Sequence, residues 1–91
     1  MKNSKQMERH FKGIANHWRI DTLLLLSAED NLSLEMIAEK LGANFYTMGE
    51  HVRRLYQAGL VDKKHQGREV HHNLSPYGKK VVTFMKSFRW L

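Results

Sequence analysis

The sequence predicts a mainly α-helical domain with a small β-hairpin, and three observations predict it. Apolar residues recur at helical spacing along most of the chain, behind residues that can cap helices. Two of these stretches meet at the short joint Gly42-Ala43-Asn44, which is the helix-turn-helix pattern. Two short strands follow, hinged on Gln66-Gly67-Arg68. The expectation is one domain over residues 1–91, with about five helices and a two-stranded hairpin, since so short a chain has little room for a second core.

Each element has a local reason. Met7, Phe11 and Ile14 repeat at helical spacing behind Ser4, a candidate N-cap, and predict a first helix over residues 5–15. Asn16 can cap a second helix, with Ile20, Leu23, Leu24 and Ser27 along its inner face and Glu29-Asp30-Asn31 as its break. Ser33 can cap a short third helix whose Leu34, Ile37, Ala38 and Leu41 point inward. Gly42 ends it where a left-handed residue is wanted. Asn44 can then cap a fourth helix over residues 45–58, with Met48, Val52 and Leu55 on its core side.

The opposite side of that fourth helix carries Tyr46, Thr47, Gly49, Glu50, Arg53, Arg54 and Gln57. Strands over residues 60–65 and 69–74 form the hairpin, with Gly67 allowing the tight turn. Ser75 caps a last helix and Pro76 takes its first position, where a missing N–H costs nothing. The main apolar stripe there is Tyr77, Val81, Phe84, Met85 and Phe88, with Val82 and Trp90 off it.

Charge is one-sided. Residues 1–50 hold six Lys/Arg and seven Asp/Glu, whereas residues 51–91 hold nine and two. The excess lies in the half with the hairpin and suggests a polyanionic partner. There is no cysteine, which excludes disulfides, thiolate metal sites and thiol redox sensing. The start MKNSKQMERH has no apolar run, and Leu23–Leu26 is too short to span a bilayer, so a cytoplasmic, nucleoid-associated protein with no membrane partner is expected. No nucleophile elbow, phosphate-binding glycine loop or metal-hydrolase spacing is present, so no enzyme and no cofactor are expected.

The stretch LGANFYTMGEHVRRLYQAGLV resembles the recognition segment of ArsR-like winged-helix repressors. FKGIANHWRIDTLLLL looks like that family's helical entry, and QGREVHHNLSPYG resembles the wing and last-helix start shared by ArsR-like and MarR-like regulators. The match covers about residues 11–80, and its order and spacing are more specific than any single motif. The resemblance implies a winged helix-turn-helix that binds operator DNA as a homodimer, with a repressor's role by analogy. Metal-sensing members carry cysteines in the third helix at the places held here by Ser33 and Glu35, and another sensing site uses His and carboxylates on the last helix, which has neither here. The metal response is therefore not carried over.

The expected DNA contacts are Asn44, Tyr46, Thr47, Gly49, Glu50, Arg53 and Arg54 from the helix, and Lys63, Lys64 and Arg68 from the hairpin. Arginine can grip guanine O6 and N7 with two bonds or clamp a phosphate. Tyr46 and Thr47 sit in the turn that enters the groove first, although Tyr46 can equally pack beside Phe45. Gly49 fits close approach of the helix either to DNA or to another helix. Glu50 can accept from cytosine N4 or hold Arg53 or Arg54 in place. Lys63 and Lys64 face opposite ways along a strand, and Arg68 at the tip suits the backbone.

The terminal stripes Met7, Phe11, Ile14 and Val81, Phe84, Met85, Phe88 exceed what a short helix-turn-helix needs, and are the expected dimer surface. A two-fold dimer would address half-sites about 34 Å apart. Six histidines raise a metal site, but His71 and His72 point to opposite faces, and His10 and His17 lie on different helices. His51 is expected to be packed and hydrogen-bonded, and no metal ligand is assigned. Two other uses of this scaffold stay open: a protein-interaction module without an operator, and a ligand- or metal-responsive switch.

Overall fold

The apolar side chains that face inward meet in one core, with Leu23, Ile37, Met48, Leu55, Leu60 and Val61 sealed from solvent. The computed structural model describes residues 1–89. Around that core run α1 (Ser4–Ile14), α2 (His17–Ala28), β1 (Leu32–Ser33), α3 (Leu34–Leu41), α4 (Phe45–Gln57), β2 (Val61–Gln66), β3 (Glu69–Leu74) and α5 (Pro76–Phe88). The expected mainly α architecture with a β-hairpin is present, and β3 is the middle strand of an antiparallel sheet ordered β1-β3-β2. No helix among the described residues is long and apolar enough to cross a membrane.

The start of α1 corrects the sequence expectation. Its cap is Asn3 rather than Ser4: Asn3 Oδ1 accepts from Gln6 N at 2.9 Å, and Gln6 Oε1 accepts from Asn3 N at 3.0 Å. This reciprocal box satisfies two end groups at once, which Ser4 with Met7 three residues on could not do. The helix buries little. Gly13 alone is sealed, and a Cβ on it would overlap that of Ala58, so α1 seats on the end of α4 through two very small residues.

The inner line of α2 also differs. Thr22, Leu23 and Leu26 are buried, whereas Ile20 and Leu24 are half-buried and Ser27 is exposed. The run Leu23–Leu26 is apolar on every side of the helix, so its spacing alone could not select the face. The buried Thr22 hydroxyl donates to the Trp18 carbonyl at 2.7 Å, which removes the cost of enclosing it.

β1 was not expected. It is two residues long, with Leu32 opposite His72 and Ser33 opposite His71. The adjacent histidines do face opposite ways: His72 is buried while His71 lies near Glu69 Oε2. His72 Nδ1 stands 2.8 Å from the Leu32 carbonyl oxygen, an acceptor, so Nδ1 carries the proton and donates.

The hairpin strands sit close to their expected bounds, but the first begins at Val61 instead of residue 60. Leu60 is committed elsewhere. Its N–H donates to the Leu55 carbonyl at 3.0 Å, closing α4, and its carbonyl accepts from Ser75 N at 3.1 Å. Ser75 Oγ donates to the Gly59 carbonyl at 2.6 Å and accepts from Gly78 N at 3.0 Å, capping α5. Gly78 then presses on Leu60 so closely that a Cβ would overlap the Leu60 carbonyl oxygen.

That contact sets the face of α5. The core takes Gly78 and Val82, although the sequence stripe left Val82 out. The stripe itself turns outward: Tyr77 is exposed, and Phe84 and Phe88 are each 61% exposed, with Val81 and Met85 half-buried. Trp90, the other residue read off the stripe, lies outside the described residues.

Burial lowers the pKa of His72, only partly opposed by its bond to Leu32, and burial also lowers that of His51. A base that holds its proton less tightly when folded makes acid favour unfolding. Their contribution is complete above the ordinary value of 6.5 and is lost as pH falls from there through the folded pKa. The thermal midpoint is expected to drop between about pH 7.5 and pH 5. In the same scan by circular dichroism, His72→Gln should flatten part of that slope.

Candidate nucleic-acid interface

The turn between α3 and α4 is set by local chemistry. Gly42 adopts φ 63°, in the left-handed region, and the Ala43 N–H donates back to the Ala38 carbonyl at 2.9 Å. Asn44 is extended, and its Oδ1 accepts from Thr47 N at 3.0 Å and from Thr47 Oγ1 at 3.3 Å. Met48, Val52 and Leu55 then anchor α4 in the core. Tyr46, Thr47, Glu50, Arg53, Arg54 and Gln57 are all exposed, as the helical spacing predicts.

Tyr46 is 83% exposed even though its ring meets Phe45 edge to face at 5.5 Å. The helix end thus presents an aromatic hydroxyl to solvent on a rigid base. Gly49 lies at the seam with α3, where an added Cβ would stand 3.4 Å from Leu34 Cδ2. That placement fits close helix packing. Asn44 and Thr47 are engaged with one another at the cap, so each has only part of its hydrogen-bonding capacity free.

Glu50 holds both arginines. Arg53 grips it with two nitrogens, Nε at 3.1 Å from Oε2 and Nη2 on Oε1, and Arg54 Nε reaches Oε1 at 3.3 Å. The hydrogen bond from Arg53, with both positive charges, holds the Glu50 carboxyl below its usual range. Its partner effect raises the pKa of Arg53. The triplet carries one net positive charge and holds both guanidinium groups against one exposed carboxylate.

On the hairpin, Arg68 is exposed at the tip beside Gly67, whose φ of 64° makes the turn. Lys63 and Lys64 do part: Lys63 sits opposite His72 and Lys64 opposite His71. Lys63 Nζ lies 4.6 Å from the centre of the Tyr56 ring, which ties the wing to the outer side of α4. Lys63, His65 and Arg68 also line a hollow shared with Phe45 and Glu35, so the basic side of the wing and the start of α4 border one concavity. Ser33 is occupied as the cap of α3, accepting from Met36 N at 3.2 Å.

The structure separates Arg54 from Arg53 in one respect. Arg54 lines a second hollow with Arg9, Lys12 and Arg19 from α1 and α2. Those three residues carry no motif and are distant in sequence from Arg54, so nothing in the chain pointed to them. His51, expected to be hydrogen-bonded, is half-buried, but its Nδ1 has no partner among the described residues. It lies beside Arg19, whose positive charge offers it no acceptor.

No protein-family model matches the chain, and no curated protein matches it in sequence. Solved structures do match in shape. HlyU from Vibrio cholerae superposes with a TM-score of 0.86 at 23% identity, covering 99% of this chain and 98% of its own. The homodimeric winged helix-turn-helix DNA-binding domain of Mb0332 from Mycobacterium bovis, described as a possible ArsR-family transcriptional regulator, gives 0.85 at 23% identity, covering 93% and 79%. The chain has the winged helix-turn-helix fold.

The PcaV transcriptional regulator from Streptomyces coelicolor matches with a TM-score of 0.68 and 31% identity over 71% of this chain, which spans 48% of PcaV. Asn44 is the local device that starts α4, so Asn44→Ala should destabilise the domain by about 1 kcal/mol, read as a lower midpoint in urea.

Proposed function

We propose that this winged helix is a sequence-specific, double-stranded-DNA-binding transcription regulator of ArsR-like type, acting as a homodimer and as a repressor in the cytoplasm. The observation that carries the reading is the outward face of α4: a capped, core-anchored helix that exposes Tyr46, Thr47, Glu50, Arg53 and Arg54 beside a basic wing. In this reading α4 enters the major groove and the wing lies on the flanking backbone. Arg53 leaves Glu50 to take a guanine edge, while Glu50 remains to accept from a cytosine or to hold Arg54. Asn44 and Gly49 shape the approach, and Lys63, Lys64 and Arg68 set register on phosphates. No reaction is assigned to the chain, and the structural relatives are described as regulators.

Dimerisation is supported by surface that one copy leaves uncovered. Phe11 is 63% exposed on α1, and it borders an apolar groove with Ile14, Val81, Phe84 and Met85; Phe88 stacks on Phe84, and Met7, one turn before Phe11, is also exposed. So much aromatic surface on one side is costly to leave in water, and a second copy would cover it symmetrically. Mb0332, which shares the fold, is itself described as homodimeric.

Two experiments test the reading. In binding to a selected duplex, Arg53→Ala should cost about 1–3 kcal/mol and relax base preference, whereas Arg68→Ala should weaken all duplexes alike and shallow the salt slope by about 1. Unchanged binding in both variants would end the assignment. In sedimentation, the wild-type chain should run as a dimer and Phe84→Glu as a folded monomer, because the side chain it changes already faces outward.

A further inference from the structure

The hollow between α1, the start of α2 and the end of α4 sets four cations against only two carboxylates at its rim. Arg9, Lys12, Arg19 and Arg54 line it, over a floor made by the Gly13–Ala58 contact. Two exposed carboxylates reach its rim, Glu8 at 3.5 Å from Lys12 Nζ and Glu50 at 3.3 Å from Arg54 Nε. Glu50 is already gripped by Arg53. Arg9 and Arg19 form no ion pair among the described residues.

The decisive group is Arg19 Nε. It is buried and has no hydrogen-bond partner among the described residues, and the same is true of Nδ1 of neighbouring His51. An enclosed guanidinium N–H without an acceptor is unfavourable. The surroundings make it worse, since burial and the Arg54 charge both lower the pKa of Arg19. The fold therefore holds like charges around an unmet donor; an oxyanion in the hollow would offset the charges, and a small shift of the Arg19 side chain would bring the enclosed Nε–H to it. Guanidinium groups meet phosphate oxygens with paired, directional bonds, which suits three arginines converging on one place.

We propose that this hollow is a phosphate-binding site, distinct from the wing and adjoining the outward face of α4 through Arg54 and Gln57. Arg54 and Gln57 belong both to α4 and to the hollow, so a phosphate held there lies directly beside the helix that reads DNA. Two sources supply the same chemistry: a phosphodiester of the duplex backbone and a free phosphate group. The duplex source rests on the DNA-binding reading, and the free source does not.

The test follows the Arg19 Nε–H signal by NMR in the full chain, adding inorganic phosphate against chloride at matched ionic strength, and then random duplex. The signal should move with phosphate and with duplex but not with chloride. The Arg9→Gln/Lys12→Gln double variant changes two exposed side chains and should keep the wild-type thermal midpoint. It should weaken phosphate binding several-fold and lower the slope of log affinity against log salt by about 0.9, the share of one phosphate contact.

Phosphate shifts with an unaltered salt slope would assign the site to a free phosphate group, and shifts with duplex alone would assign it to the DNA backbone. Both support the site. Phosphate shifts in a chain that binds no duplex at any salt would remove the DNA-binding reading and leave the site standing. An Arg19 signal that responds to neither phosphate nor duplex beyond chloride overturns the proposal.

Discussion

The corner at Gly59 and Leu60 holds the outward parts of this molecule in relation to one another. Leu60 is sealed in the core, its N–H closes α4, and its carbonyl receives Ser75, while Gly59 receives the Ser75 hydroxyl. Four element ends are therefore fixed within two residues: the close of α4, the start of β2, the exit of β3 and the cap of α5. The corner works only because Gly78 has no side chain, so α5 can lie against the Leu60 backbone. The orientation of the wing relative to α4 follows from these backbone bonds. The Lys63–Tyr56 contact reinforces it from outside.

A second constraint is electrostatic. The basic excess of residues 51–91 does not spread evenly, because Glu50 gathers Arg53 and Arg54 into one hydrogen-bonded group. An exposed carboxylate among arginines contributes little to stability. Its effect is to set the geometry of the two arginines and to subtract charge from the outward face of α4, whereas Arg9 and Arg19 on the α1–α2 side and Arg68 on the wing form no ion pair among the described residues. In the proposed DNA complex, discrimination and adhesion would then fall on different surfaces, in keeping with the general division between base and phosphate contacts.

Much of this was legible in the chain because it is local. Gly42, Asn44 and Ser75-Pro76 act on residues within one turn, and each performs the role that its chemistry predicts. The core side of α4 was legible for the same reason, since Met48, Val52 and Leu55 repeat on one face. What was not legible depends on distant partners. β1 exists because His72 and His71 come to meet Leu32 and Ser33, and two residues hold no periodicity. Val82 displaces the aromatic stripe from the core because Gly78 lets α5 roll toward Leu60. Arg19 gains its setting only when three helices converge on it, and the α2 inner face was ambiguous in a run of four leucines.

The seat of α1 on α4 has a mechanical consequence. Gly13 and Ala58 leave no slack between the two helices, so α1 cannot slide without pushing the end of α4. In the proposed dimer α1 is part of the joint, and α4 is the probe. Such a pair would act as a fixed-gauge tool, with the spacing of its jaws set by the close seat of α1 on α4 rather than by a spring. Any agent that wedges the joint open by a fraction of an ångström would change the gauge itself, and a duplex of unchanged sequence would no longer fit both jaws at once.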